Sequence, residues 1–327
     1  MRPRIVFVVM SAVSPPAIVD QLCRSLAPHQ VLVHHDFTQT PDFALTAANA
    51  QFVPDPKRTG WAVFGFAEGI FHSMRHAVDH LQFDYLQLLS PTCLPIKPLA
   101  AFEAHVSGEA DAHFGCIDVL RDRDALMSVG YRAFTPEHTI RHRLARRLST
   151  AYFGSSPGRR DEAGIWLRSG AGPGFLPPVA LASIKALASP WVGGHVFDRS
   201  FRPHYGSAWF GARQPLIAAM VELFSQPRLR DYFSRLRIAD EFLIPSLLVH
   251  LGARRGPINH YVHPFIEAHT GEILEKDWEQ LCKTPAFFAR KFSENASAPV
   301  RTRVLRELAA ADAAPLGDPS QLVAPTR

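Results

Sequence analysis

Arg4-Ile-Val-Phe-Val-Val-Met10 is an unbroken apolar, β-branched run that stops at Ser11, the pattern of a strand covered on both faces in a mainly parallel sheet. Val31-Leu-Val-His-His-Asp36 repeats it. Between them, Pro16 to Leu26 has helical spacing at Ile18, Leu22 and Leu26, so the chain opens β-α-β. Ala67, Ile70, Phe71, Met74, Ala77, Val78 and Leu81 recur at the spacing of a helix laid on a sheet. Tyr85-Leu-Gln-Leu-Leu89 supplies the following strand and leaves it through Ser90-Pro91 and Leu94-Pro95, a turn-rich exit suited to a carboxyl edge. His113 to Val119 is a fourth candidate strand.

From Arg121 to Gly174 the periodicity degrades into charged and Gly/Pro-rich text, which reads as an insertion over the sheet. Its one helix candidate, Ile140 to Tyr152, has an apolar stripe of Ile140, Leu144, Leu148 and Tyr152, with Arg141, Arg143, Arg146 and Arg147 on and around the other face. Regular patterning resumes at Val179 to Leu187, then a loop and strand from Trp191 to Phe210, then helices near Pro215 to Phe224 and Glu241 to Leu251. A short helical segment around Val304 to Ala311 precedes a Pro/Ala/Gly tail expected to be mobile. With no repeat and no long linker, the expected layout is one α/β domain over 1–294 and a short helix with its tail over 295–327.

Composition fits a packed protein: 327 residues, 47% hydrophobic and 20% charged. No run of about 18 apolar residues exists, so the expected location is cytoplasmic. Cys23, Cys93, Cys116 and Cys282 are far apart, signalling neither a disulfide framework nor a zinc site. The net charge of +5 suits an anionic ligand without demanding nucleic acid. The arginines between Arg132 and Arg160 leave open a basic nucleic-acid-binding surface, whose affinity would fall steeply with salt, but no nucleic-acid motif accompanies them. There is no G-x-x-x-x-G-K-[ST], no G-x-G-x-x-G after the first strand, no H-E-x-x-H and no G-x-S-x-G.

What remains is a set of polar and aromatic residues at element ends. Asp240-Glu241 opens a helix, where a carboxylate is stabilised by the helix dipole, so helix-start chemistry alone would account for it. Arg290-Lys291 sits between Phe288 and Phe292, which pin the segment; solvated surface is the plain alternative. Asp36 ends the second strand, as a turn residue or as a ligand group. Trp61 and Trp209 are either core aromatics or platforms for a sugar face. Asp122-Arg-Asp124 has the spacing of a divalent-metal motif. His260-Tyr-Val-His263 has a weak ligand spacing and reads as structural.

In order along the chain, Val33-His-His-Asp36, Trp61 with the helix after it, Tyr85-Leu-Gln-Leu-Leu-Ser90 leading to Leu94-Pro-Ile-Lys97, Gly206-Ser-Ala-Trp-Phe210 followed by Ala239-Asp-Glu-Phe242, and Phe288-Ala-Arg-Lys-Phe292 resemble the Core-2/I-branching β-1,6-N-acetylglucosaminyltransferases and the related peptide O-xylosyltransferases. The resemblance spans roughly residues 4 to 293. It implies a GT-A-like α/β domain and an inverting glycosyltransferase that moves a sugar from a UDP-linked donor to a hydroxyl of a glycan or glycoconjugate. Glu241 would be the general base. Lys291, with Arg290 beside it, would neutralise the leaving diphosphate in place of a metal. Val33 and Asp36 would lie at the nucleotide, and Trp61, Ser207, Trp209 and Asp240 at the acceptor or the pocket wall. The family's Gly-x-Asp is replaced by Pro91-Thr-Cys93, so the role of that aspartate does not carry over, and its second basic partner aligns with none of His263, His269 or Lys276 securely. The resemblance calls for no metal or other cofactor, with UDP-sugar as donor substrate and no nucleic-acid partner. Alternatives are a metal-dependent transferase using Asp122 and Asp124, or a carbohydrate- or nucleotide-binding protein without activity. The four arginines 141, 143, 146 and 147 suit peripheral contact with an anionic membrane at its inner face, or a lipid-diphosphate acceptor.

Overall fold

In the computed structural model the described residues are 2–11, 13–122, 124–125, 140, 158–160, 165–168, 195–262, 265–266 and 269–309. The expected β-α-β opening is present as β1 (Ile5–Met10), α1 (Pro16–Ser25) and β2 (Gln30–His34), followed by β3 (Ala50–Phe52), α2 (Phe64–His80) and β4 (Tyr85–Leu89). A short β5 (Leu94–Pro95) and α3 (Leu99–Val106) come next. The fourth expected strand divides into β6 (Ala112–His113) and β7 (Cys116–Asp118). Past β8 (Gly158–Arg160) and β9 (Trp166–Arg168), which pair with each other, come β10 (His204–Gly206) and β11 (Gly211–Arg213). Then follow α4 (Gln214–Phe224), α5 (Pro227–Phe233) and α6 (Asp240–His250). The last elements are β12 (Arg255–Gly256), β13 (His260–Val262), β14 (Phe265–Ile266), β15 (His269–Thr270), α7 (Trp278–Lys283), β16 (Phe288–Arg290) and α8 (Ala298–Val304).

The central sheet has the order β12-β6-β11-β4-β1-β2-β3. It is parallel except at β11, which runs antiparallel to both β4 and β6. Alternation along β1 explains why its apolar run is unbroken: Ile5, Phe7 and Val9 enter one core with Val19 and Leu22 of α1 and Phe102 of α3, while Val6, Val8 and Met10 enter another with Ile70 and Met74 of α2 and residues of α4 and α6. At about 25 cal/mol per Å², a strand buried on both faces contributes roughly twice the apolar stabilisation of one with a wet face.

The chain goes from β1 outward to β2 and β3, then returns to place β4 on the other side of β1. The carboxyl ends of β1 and β4 therefore flank a topological switch point, where a crevice opens in sheets of this kind. A smaller sheet, β13-β16-β5, and the ribbon β10-β7 stand by that edge. The carboxyl-terminal helix begins at Ala298, earlier than its apolar pattern suggests, and buries Val300 and Val304 against Leu94, Ile96 and Phe292. Among the described residues no helix is long and apolar enough to cross a membrane. The basic helix candidate apart from Ile140, the segment 179–187 and the tail from 310 lie outside the described residues.

Candidate functional site

The end of β2 is fixed by polar side chains. Ser11 donates its N–H to the His34 carbonyl (3.1 Å), and its hydroxyl lies 2.7 Å from His35 Nδ1. His35 Nε2 faces the Thr40 carbonyl (2.9 Å), and the Ser11 hydroxyl donates to the His34 carbonyl (3.0 Å). Asp36 is buried and accepts from Thr38 N–H (3.0 Å) and Oγ1 (2.6 Å), Gln39 Nε2 (2.8 Å) and Thr59 N–H (2.7 Å). Burial alone would raise its carboxyl, but these hydrogen bonds outweigh it and hold it at about 2. Asp36 thus ties the loop around Thr59 to the strand end. Val33, expected at the nucleotide, has its side chain fully buried in the core and its carbonyl taken by Val53 N–H (3.0 Å).

Across the switch point, Ser207 to Phe210 link β10 to β11. Ser207 Oγ accepts the Trp209 N–H (3.1 Å), a local turn that sets the indole's direction. Gly206 is required here because a Cβ would stand 2.0 Å from the Gly115 carbonyl oxygen. A buried relay holds the next positions: Gln87 Nε2 donates to the Phe210 carbonyl (2.8 Å), and Asn259 Nδ2 donates to Gln87 Oε1 (2.9 Å). The Asn259 carbonyl accepts from Phe287 and Phe288 N–H (3.0 Å each). Trp209 and His260, the chain neighbours of Phe210 and Asn259, are placed by this relay.

Three groups meet there. In the parallel β13–β16 pair, His260 faces Phe288 and Val262 faces Arg290, so alternation puts Phe288 and Arg290 on one face of β16. The Arg290 guanidinium lies over the Trp209 ring, 4.8 Å from its centroid, and His260 packs between Trp209 (6.3 Å) and Phe288 (5.7 Å). Arg290 Nε and both ring nitrogens of His260 are buried without a hydrogen-bond partner. Arg290 forms no ion pair with the described residues. Burial lowers its pKa, with Cys93 and then Glu241 opposing. Burial also raises the Cys93 thiol, so that neighbour stays protonated and does not neutralise the cation. Burial and then the Arg290 charge take His260 down to about 3, leaving it neutral.

Glu241 sits in the first turn of α6, after Asp240, which is buried. The helix is fixed against β10 by Ser246, whose Oγ accepts His204 N–H (2.9 Å). Tyr205 of β10 donates to Glu241 Oε2 (3.3 Å), aiming the carboxylate. Pro245, inside the helix, has no N–H for the Glu241 carbonyl, so that carbonyl lacks its ladder hydrogen bond.

Of the residues expected from sequence, Arg290 is stacked on Trp209, Ser207 holds the Trp209 turn, and the Glu241 charge acts on Arg290. Lys291 follows β16, half-buried, and its carbonyl accepts Ile273 N–H (2.9 Å); the cation stacked on Trp209 is Arg290. Trp61 is 71% exposed beneath Arg237, so it is no core aromatic. Asp122 Oδ1 accepts Ala125 N–H (2.8 Å), as a turn cap does. Among the described residues no group of three or more His, Cys, Asp or Glu side chains is arranged to hold a metal ion. His263, Arg141, Arg143, Arg146 and Arg147 lie outside the described residues. Sequence reasoning left His260 as structural, read Cys93 as a packing residue and did not single out Tyr205; strand register brings His260 and Tyr205 here.

The chain is a mixed α/β protein with a mostly parallel central sheet, in which Arg290 is stacked on Trp209 within electrostatic reach of Glu241. No protein-family model matches it, and no characterised protein matches it in sequence.

Proposed function

We propose that the chain is an inverting, GT-A-like glycosyltransferase that moves a sugar from a UDP-linked donor to a hydroxyl of a glycan or glycoconjugate. The observation that carries the reading is Arg290: a guanidinium held on Trp209 at the carboxyl edge, its Nε buried without a partner. A buried cation of that kind is stabilised by an anion, and its planar fork suits a phosphate. Strand order adds support, because nucleotides bind outside the carboxyl ends of such sheets at the switch point.

Glu241 takes the proton of the acceptor hydroxyl as that oxygen attacks the anomeric carbon from the face opposite the diphosphate. The bond from that carbon to the phosphate oxygen breaks, UDP departs with the electron pair, and the centre inverts. Arg290, with Lys291 next in the chain, stabilises the charge growing on the leaving diphosphate. Trp209 orients Arg290 and walls the crevice. Asp36 holds the loop at the nucleotide end.

The test is release of UDP from a panel of UDP-sugars in the presence of glycan acceptors, wild type against Glu241→Gln. Removing a general base lowers kcat by roughly 100- to 10,000-fold. Turnover unchanged in Glu241→Gln overturns the assignment of the base, and no UDP release with any donor overturns the transferase reading.

A further inference from the structure

The carboxyl-terminal half of α2 carries His72, His76 and His80, each one turn beyond the last, so they share a helix face. His72 is committed elsewhere, its Nε2 lying 2.8 Å from the Pro54 carbonyl oxygen. His76 and His80 have no hydrogen-bond partner among the described residues. Each ring meets the other instead, with centroids 4.7 Å apart and planes at 51°. Packing does not require the pair: α2 enters the core through Ala67, Ile70, Met74 and Ala77, while His76 is half-buried and His80 exposed.

The spacing suits two imidazoles on one metal ion. With a metal–nitrogen bond of about 2.0–2.1 Å the ion stands about 3.2 Å from each ring centre, so bond angles of about 90–109° put the two centres about 4.5–5.2 Å apart. The observed separation lies inside that span. The outer torsion of histidine is broad, so each ring can turn a nitrogen toward a shared point at little cost. The local charge also favours a cation. Burial, then the His80 and His72 charges, lower the His76 pKa, so its ring is neutral at pH 7, the form that binds metal. Asp79 is exposed beside the pair, and its charge acts on His76. His80 ends the helix, where the dipole is negative. Because α2 crosses from β3 to β4 and both strands run parallel to their neighbours toward β1, its end lies at the amino edge of the sheet, away from the crevice. The pair therefore stands apart from the proposed transferase chemistry.

We infer that His76 and His80 chelate one transition-metal dication, Zn²⁺, Ni²⁺ or Cu²⁺, through two imidazole nitrogens, with water in the remaining positions. Hard cations such as Mg²⁺ take oxygen ligands and are not held. Calorimetric titration of Zn²⁺, Ni²⁺ and Mg²⁺ into the full chain tests it, in a Cys282→Ser background that removes an exposed thiol. His76→Gln, His80→Gln and His72→Gln are compared on that background. Zn²⁺ and Ni²⁺ bind and Mg²⁺ does not, and loss of either His76 or His80 weakens the affinity at least about ten-fold, because a single imidazole cannot chelate. His72→Gln keeps the affinity. His80 is exposed, so His80→Gln preserves the fold and decides the matter even if His76→Gln disturbs the core. An affinity unchanged in His80→Gln, or no Zn²⁺ binding at all, overturns the site, and an equal loss in His72→Gln overturns its assignment to this pair.

Discussion

Replacing Arg290 with methionine separates a functional cation from a structural one. In the free protein the guanidinium gains about 0.5–2 kcal/mol from lying over Trp209. Against that, leaving Nε buried without a partner costs about 1–3 kcal/mol. Methionine has a similar reach, brings no polar atom that needs a partner, and gains about 0.3–1.5 kcal/mol from sulfur contact with the aromatic neighbours. The expected net effect is a free protein more stable by about 1 kcal/mol, a rise of about 2–4 °C in Tm. The ligand arm has the opposite sign. A bidentate contact to phosphate consists of two charge-assisted hydrogen bonds of about 1.5–3 kcal/mol each, so its loss weakens UDP binding by about 3 kcal/mol, roughly 100-fold. Denaturant titration of both proteins, with and without excess UDP, reads both arms. An Arg290→Met variant that loses stability and keeps the UDP-dependent gain of the wild type would refute the reasoning, because the guanidinium would then be holding the fold.

Gly206→Ala places a methyl 2.0 Å from the Gly115 carbonyl oxygen, so the β7–β10 ribbon must part. A loss of about 1–3 kcal/mol is expected in denaturant titration, with weaker UDP binding because Trp209 moves. Asn259→Leu removes the donor to Gln87 Oε1 and one of the two partners of His105 Nε2, and is expected to cost about 1–3 kcal/mol, while a neutral result in the same titration would mean that the relay does not support the site. Acid weakens the fold through buried imidazoles. Burial, the largest cause for each, lowers His34 and His113 to about 4 and His260 to about 3, below the ordinary value of 6.5. The unfolded chain binds more protons below 6.5, so this stability is whole above pH 6.5 and is lost as pH falls through about 4. Unfolding free energies at pH 7, 5.5 and 4.5 should fall in that order, and a flat series contradicts the assignment of neutral imidazoles.

The elements written in long apolar runs were legible. Tyr85 to Leu89 matches its strand residue for residue, and the run from Arg4 to Met10 overshoots its strand by Arg4 alone, because strands covered on both faces are written in nearly unbroken apolar text. His113 to Val119 looked like one strand and is two, since Gly115, against Ile258 and Ile165, is where the chain leaves the central sheet for the ribbon with β10. Elements of two or three residues, such as β5, β11 and β13, are shorter than any period that reveals them. Glu241 was readable because an acidic pair opening a helix is a local signal. Arg290 against Lys291 is decided by the face of β16, and His260 by its pairing with Phe288, both facts of register. Trp61 is exposed beneath Arg237 and is followed by left-handed Ala62, which is not a glycine that sequence would have flagged.

The most direct measurement is calorimetric titration of UDP into the purified full chain, once with chelator and once with manganese. The account predicts binding in both, with the chelated sample within a few-fold of the other, because Arg290 supplies the positive charge that meets the diphosphate. Binding seen only with manganese would move the diphosphate contact to a metal site such as Asp122 and Asp124, and no heat in either sample would contradict the nucleotide-sugar site altogether.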